Sequence, residues 1–451
     1  MLEILSKQKE FFLTHSTIDV NFRLAQLKKL KSQIKVYYDQ LLKAFKQDLN
    51  KGEFDVVSTE LGVVMNELNY MLKNLKRLAK PKRVVTSLTN LISTGYKISE
   101  PYGNVLVAAP WNYPFQLTLV PVIGAMAGGN TVVIKPSRNT PNITKVIKKI
   151  FDVFDDNYVY VVTKEEEINA LFDEKFDLIF YTGSKSKAIE LMEKQAKYLT
   201  PLILELGGKS PCIVDADADI ETSVKRVVWG KFLNGGQTCV APDYVLLHSN
   251  IKEVWLEKAK EYIQKFYYQD EKLSKDFVKV VNQKNLDRVV NLIDKNKVFF
   301  GGNIVNGTLE PTILNNVTRQ DKVMQEEIFG PIMPVIEFED LDQELETLRS
   351  LDKPLAFYYF GNDREKINKV LTTYSFGGGC VNDTIMHFVE EGLPFGGVGM
   401  SGMGKYHGKN TFYAFTHIKG VLKKSKVELN LKYPPTSKGK VNFIKKFFRV
   451  N

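Results

Sequence analysis

The chain has 451 residues, more than one ordinary core accommodates, so at least two large domains are expected. With 44% hydrophobic and 25% charged residues it has the composition of a soluble globular protein, and no apolar run approaches the roughly 18 residues of a membrane span. The formal charge of +10 comes without basic-aromatic motifs or a glycine-arginine tract, so a solvated lysine-rich surface is expected and no nucleic-acid partner.

The opening Met1-Leu2-Glu3-Ile4-Leu5-Ser6-Lys7 lacks the basic-then-apolar order of a signal peptide, and a cytoplasmic location is expected. Leu24, Leu27, Leu30, Ile34, Leu41, Leu42, Phe45 and Leu49, with lysines between them, predict amphipathic helices over residues 21–49. A second helical stretch, 57–78, stops before Pro81, and the β-branched, glycine-marked segment 86–102 reads as an exposed hairpin or arm. Short apolar runs at 105–109, 131–134, 158–162, 178–181 and 202–204 then alternate with helical stretches. That alternation predicts a doubly wound parallel sheet in an α/β fold. A second α/β series begins near Ile213 and runs through 244–248, 333–336 and 357–360, whereas the glycine-rich segment 393–404 reads as a long loop.

Ligands of such sheets sit beyond the carboxyl ends of the strands. Here those ends carry Pro110-Trp111-Asn112-Tyr113-Pro114, Lys135-Pro136-Ser137, Thr182-Gly183-Ser184 and Glu205-Leu206-Gly207-Gly208. Cys239 follows Asn234-Gly235-Gly236-Gln237-Thr238, a loop of small and turn-forming residues. A thiolate attacks a carbonyl carbon well, and a nearby carboxylate such as Glu205 can deprotonate the water that releases the adduct. Taken residue by residue, the bland readings stay open. Cys239 is as readily a packed thiol, Asn112 a turn residue, Lys135 a lysine at the sheet's lip, and Glu327 and Phe329 a surface acid and a core aromatic. Cys212, Cys239 and Cys380 form no CxxC pair and have no histidine at metal spacing, so neither a disulfide framework nor a metal site is expected.

The motifs PWNYP, KPS, YTGS, ELGGKSP, NGGQTCVAPDY, QEEIFGP and LPFGGVGMSGMGKYHGK occur in that order, and residues 20–435 resemble the aldehyde dehydrogenase superfamily, class 3-like, the fatty or aromatic aldehyde type. The resemblance implies a dinucleotide-binding domain (1–82 and 103–206), a catalytic domain (207–400), and bridging or oligomerisation elements with a C-terminal tail (83–102 and 401–451). It also implies a homodimer and NAD or NADP as cofactor, although no GxGxxG fingerprint is present. In that pattern Cys239 is the nucleophile, Asn112 and the Cys239 N–H hold the oxyanion, and Glu205 activates the hydrolytic water. Lys135 binds the adenosine ribose, Thr182, Gly183 and Ser184 face the pyrophosphate, and Glu327 and Phe329 hold the nicotinamide ribose and ring.

Two departures stand out. Arg138 follows KPS where the family's NAD-selecting glutamate stands, so appreciable NADP use is expected. Thr163-Lys164 replaces a Gly-Gly pair, which is expected to add positive charge to the adenosine pocket. The class implies oxidation of an apolar medium- or long-chain aliphatic or aromatic aldehyde to its acid. Acyl transfer to coenzyme A is the enzymatic alternative, disfavoured by Glu205, and a silent structural homologue would be expected to show damage at the site. Cys212 and Cys380 read as packed thiols, and His407 is open between the substrate entrance and a structural role. The segment 437–451 mixes five basic residues with Phe443, Ile444, Phe447 and Phe448 and reads as a helical dimer contact or lid, or as a peripheral contact with the inner face of a membrane.

Overall fold

The computed structural model describes residues 1–87, 90, 92–427 and 432–450. Its chain divides into two compact units, Met1–Leu78 with Glu100–His417, and Ala79–Ser99 with Ile418–Asn451.

The first unit holds two sheets. One has six strands in the spatial order Gly402–Met403, Leu202–Glu205, Leu178–Thr182, Asn104–Ala108, Thr131–Lys135 and Val159–Val161. All its neighbours are parallel except Gly402–Met403, which runs antiparallel to Leu202–Glu205. Val105, Leu106, Val107, Val132, Val133 and Ile134 are wholly buried, as parallel strands covered on both faces require. The helix Gln116–Gly128 is buried at every position, and its apolar circumference is what lets it lie inside the unit. The second sheet has seven strands in the order Val298–Phe300, Thr312–Leu314, Ile332–Phe338, Tyr244–His248, Pro211–Val214, Ala356–Phe360 and Gly378–Val381. Only its first pair is antiparallel.

The expected doubly wound sheet and second α/β series are both present, with strand ends within a residue or two of expectation. The stripe over 21–49 is two helices, Val20–Val36 and Tyr38–Leu49, broken at Tyr37. The stretch expected from 57 begins earlier, at Glu53, and contains a π turn at Val57–Leu61 before the helix Gly62–Ala79. A helix over Leu2–Leu13 was not predicted. Its Gln8, buried, donates to the carbonyls of Val132 (3.1 Å) and Asp156 (3.0 Å) and accepts from Asn104 Nδ2 (2.9 Å).

The compact units divide the chain differently from the expected domains at several points. Gly402 and Met403 pair with Glu205 and Leu204, so the segment assigned to a bridging element from 401 belongs to the first unit as far as His417. The break on the amino-terminal side falls at Leu78 rather than 82, and the return at Glu100 rather than 103. Both large sheets also lie within one compact unit.

The second unit contains most of a three-stranded sheet, Lys82–Val84, Ser93–Pro101 and Thr416–Lys424 in that order. The expected hairpin over 86–102 takes the form of Ser93–Pro101 pairing antiparallel with Lys82–Val84; residues 88, 89 and 91 lie outside the described residues. A helix follows at Lys438–Phe448, with Val441, Phe443, Ile444, Phe447 and Phe448 exposed. Among the described residues, no helix is long and apolar enough to cross a membrane.

Candidate active site

Parallel pairing sets the site's elements side by side. Ala108 lies beside Lys135 on one flank and Tyr181 on the other, and Thr182 lies beside Glu205. The carboxyl ends of four strands therefore present Trp111-Asn112, Lys135, Thr182 and Glu205 along one edge.

Two motifs more than a hundred residues apart are sewn together there. Asn112 Nδ2 donates to the Gln237 carbonyl (3.1 Å), and Asn234 Nδ2 donates to the carbonyls of Asn112 (2.9 Å) and Gln237 (3.1 Å). The Tyr113 hydroxyl meets Thr238 Oγ1 at 2.7 Å. An amide nitrogen carries two hydrogens, so Asn112 keeps one donation beyond its bond to Gln237. The turn before Cys239 has left-handed backbone at Asn234, Gly235 and Gly236 (φ 56°, 63° and 73°). A Cβ on Gly236 would come 2.2 Å from the Gly330 carbonyl, so only glycine permits this approach. Gln237 then fixes the loop from below, donating to Asn234 (3.0 Å) and Lys279 (3.1 Å) and accepting from Val281 N–H (3.0 Å).

The Glu205 side chain is buried, and its Oε1 has no hydrogen-bond partner within the protein. Burial holds this carboxyl well above the usual carboxylate range. Burial also pushes the Cys239 thiol up, and the carboxyl groups of Glu205 and then Glu327 add to the effect. Burial therefore opposes ionisation of both groups in the unliganded chain.

Cys239 lines an apolar cavity of about 310 Å³ with Tyr113, Leu117, Trp229, Val240, Phe388 and Phe395 among its walls. A second cavity, about 850 Å³, is walled by Gly183, Ser184, Gly207, Lys209, Arg288, Glu327 and Lys353, among others. Glu327 reaches it from a loop that the sequence reading left unsupported. Asp243 Oδ1 accepts the Ile328 N–H (3.0 Å), while its Oδ2 meets Lys209 Nζ (2.5 Å), which also donates to the Glu326 carbonyl (2.9 Å). Arg288 clamps the same loop at Glu326 Oε1 (2.9 Å) and the Ile328 carbonyl (2.7 Å). Lys231, wholly buried, donates to the Asp243 carbonyl (3.3 Å). Sequence reasoning quoted Lys209 and Asp243 inside ELGGKSP and VAPDY without a role; a lysine and an aspartate in otherwise small or apolar motifs were the available signal. Phe329 has φ 48° and sets its ring edge-on to Trp111 at 5.3 Å.

A dinucleotide fits these residues. Thr182 Oγ1 is buried without a protein partner, and Ser184 caps the helix Lys185–Ala196, whose first N–H groups are unpaired within it. A Cβ on Gly207 would fall 2.1 Å from Glu327 Oε2, so that strip of backbone stays bare beside the cavity. Lys135 is half-buried and pushed down to about 8 by burial, with Arg138 and Lys187 adding to it, so an oxygen ligand would relieve it. Arg138 Nη1 stands 3.5 Å from Glu165 Oε1, both side chains largely exposed. The positive charge expected of Lys164 is countered by Glu165, Glu166 and Glu167, which open the next helix.

Cys212 is wholly buried, and Cys380 Sγ lies 3.5 Å from His387 Nδ1. His407 is buried, and with Glu67 it walls a separate cavity of about 30 Å³. Among the described residues no cluster suits a metal ion.

With a cysteine loop and an asparagine turn bonded over a parallel sheet, and a dinucleotide-sized cavity beside them, the class is defined. The chain belongs to the aldehyde dehydrogenase family, whose model matches residues 3–421. It is therefore an NAD(P)-dependent aldehyde oxidoreductase. Among individual proteins it is 42% identical to the 4,4'-diaponeurosporen-aldehyde dehydrogenase of Staphylococcus aureus (strain NCTC 8325 / PS 47), over 98% of this chain and 97% of that protein. It is 40% identical to aldehyde dehydrogenase family 3 member A2 of Pongo abelii (97% and 92% covered). The dimeric NADP-preferring aldehyde dehydrogenase of Mus musculus is also 40% identical (96% and 97% covered). The solved substrate-bound state of Staphylococcus aureus AldH superposes with a TM-score of 0.96 at 42% identity, covering 99% of both chains.

Proposed function

We propose that this enzyme oxidises apolar aldehydes to carboxylic acids at Cys239. The observation that carries the reading is the cavity Cys239 lines, whose walls are chiefly aromatic and aliphatic. One relative's name is consistent with it, naming a diaponeurosporen-aldehyde.

As the Cys239 Sγ bonds to the aldehyde carbon its proton passes to solvent, and the carbonyl π pair moves to the oxygen, which becomes an oxyanion. Asn112 Nδ2, through its remaining hydrogen, and the Cys239 N–H donate to that oxygen. Such a donor is worth about 3–4 kcal/mol in the transition state. Lys135, Ser184 and Glu327 would hold NAD(P)⁺, which when bound would supply the hydride acceptor. With hydride given up to that acceptor, Cys239 would carry a thioester. Glu205, once ionised, takes a proton from water as that water attacks the thioester carbon. The C–S bond then breaks, the acid departs, and the Cys239 sulfur takes the proton that Glu205 accepted from water. The unpartnered Glu205 Oε1 is available for that water.

A series of straight-chain aldehydes tests substrate class and chemistry together. Each methylene buried in the tunnel contributes about 0.8 kcal/mol, so KM should fall about fourfold per carbon until the cavity is full. The product should be free acid whether or not coenzyme A is present, and Cys239→Ser should abolish cofactor reduction. Activity that survives Cys239→Ser defeats the mechanism. A KM indifferent to chain length defeats the substrate class.

A further inference from the structure

Lys51 and Glu60 form an ion pair at 2.8 Å with side chains 1% and 0% exposed. Taking two charges out of water is costly, and such a pair is a poor source of stability compared with apolar packing. What it touches is more informative. Glu60 Oε2 accepts the Gln116 N–H at 2.8 Å, at the first residue of the buried helix Gln116–Gly128. A carboxylate there satisfies an N–H that the helix itself leaves unpaired, and its charge complements the helix dipole. The ammonium of Lys51 stands 4.3 Å from the centroid of the Tyr113 ring. The hydroxyl of that same ring meets Thr238 Oγ1 at 2.7 Å.

One buried pair therefore grips the Asn112–Gln116 segment at both ends of its turn, and through Tyr113 it reaches the residue before Cys239. Glu60 sits in the π turn Val57–Leu61, a wide turn that local helical propensity does not favour and that often marks a functional position. Thr59 and Ser58 of that turn wall the tunnel, so the backbone that carries Glu60 is also substrate-facing.

We propose that Lys51 and Glu60 are positioning residues for the reaction at Cys239, holding the Asn112 donor and the Thr238–Cys239 loop in register with each other. This rests on the reading of Asn112 as the oxyanion donor. Neither residue touches substrate; both act through Tyr113 and Gln116.

The test is the rate constant of the first-turnover burst of reduced cofactor, measured with wild type, Glu60→Gln, Lys51→Met, Asn112→Ala and the Glu60→Gln/Asn112→Ala double variant. Thermal midpoints and cofactor Kd are measured alongside. A merely structural pair lowers the midpoint and the burst amplitude, because fewer molecules are folded, but leaves the rate constant of the folded fraction alone. Misplacing a catalytic donor slows chemistry itself, here by about tenfold or more in Glu60→Gln, with cofactor Kd within about twofold. In the Asn112→Ala background the same change should cost less than about twofold, since the donor it positions is gone.

An unchanged burst rate constant in folded Glu60→Gln overturns the proposal, and so does a full tenfold loss repeated in the Asn112→Ala background. Should Glu60→Gln fail to fold, Tyr113→Phe keeps the ring beneath Lys51 and removes only the bond to Thr238. Its burst should slow about threefold, and an unaltered rate overturns the link to the Cys239 loop. An Asn112→Ala variant with a wild-type burst defeats the underlying oxyanion reading instead, and the positioning proposal falls with it.

Discussion

The 310 Å³ tunnel that Cys239 lines and the 850 Å³ cavity that Glu327 faces are made of opposite kinds of side chain. Tyr113, Trp229, Phe388 and Phe395 wall the first and offer area; Lys209, Arg288, Glu327 and Lys353 wall the second and offer placed charge. Selectivity by area is graded and tolerant, because a lost methylene costs little and the wall can repack. Selectivity by charge is brittle. Asp243 ties both Lys209 and the Ile328 N–H, so one substitution there removes two of the bonds that hold the Glu326–Phe329 loop and leaves it to Arg288. The reaction centre shares both characters, with a thiol and a carboxyl whose ionisation burial opposes.

The largest effect expected bears on that centre. Glu205→Gln preserves shape but cannot accept a proton, so the first turnover should still release reduced cofactor in a burst while steady turnover falls by about 10²–10⁴-fold. If instead the burst and the steady rate fall together, Glu205 serves thioester formation as well, and the division of labour between the two steps collapses.

How much of this was legible before the structure follows from the physics of each part. Strands such as Thr131–Lys135 announce themselves because burial on both faces demands unbroken β-branched residues. Asn112 and Cys239 were legible as motifs, but a motif does not show that Asn112 spends one of its two hydrogens on Gln237. Helix Leu2–Leu13 escaped because the residue that pins it is Gln8, a polar side chain among lysines. The Gly402–Met403 strand escaped because glycines carry no alternation to read. Lys51 and Glu60 were invisible for the strongest reason: charged residues are assigned to the surface, and only tertiary packing reveals a buried pair.

A smaller effect tests whether the charged side is as selective as its composition implies. Arg138 follows Lys135-Pro136-Ser137, where the family resemblance puts cofactor selection, and it is paired with Glu165 in an exposed contact of little intrinsic strength. Arg138→Glu should shift the NADP-to-NAD ratio of kcat/KM toward NAD by roughly tenfold, and Glu165→Gln should shift it the other way by less. A wild type strict for NAD and unmoved by either substitution shows that Arg138 points to solvent and that cofactor choice is made elsewhere.

The smallest effect concerns the cost of keeping carboxyl groups dry. Glu327 is pushed up to about 8, chiefly by burial and then by Asp243, from an ordinary value of 4.5. Between those two values the unfolded chain ionises at this residue and the folded chain does not. The folded state then binds more protons, and stability falls as pH rises. The contribution is complete below about 4.5, declines through the window and is spent above about 8. His387 and His407, lowered to about 4 and about 3 by burial, act in the opposite sense at the acid end, so the raw curve of wild type mixes several groups. The difference between wild type and Glu327→Gln removes them. In cofactor-free protein the variant should gain roughly a few degrees in Tm relative to wild type between pH 5 and pH 8, and the gap should stop growing above that. Parallel curves would mean that Glu327 ionises freely in the folded protein, with Lys209 and Lys231 compensating its burial, and the charged cavity would then carry a standing negative charge.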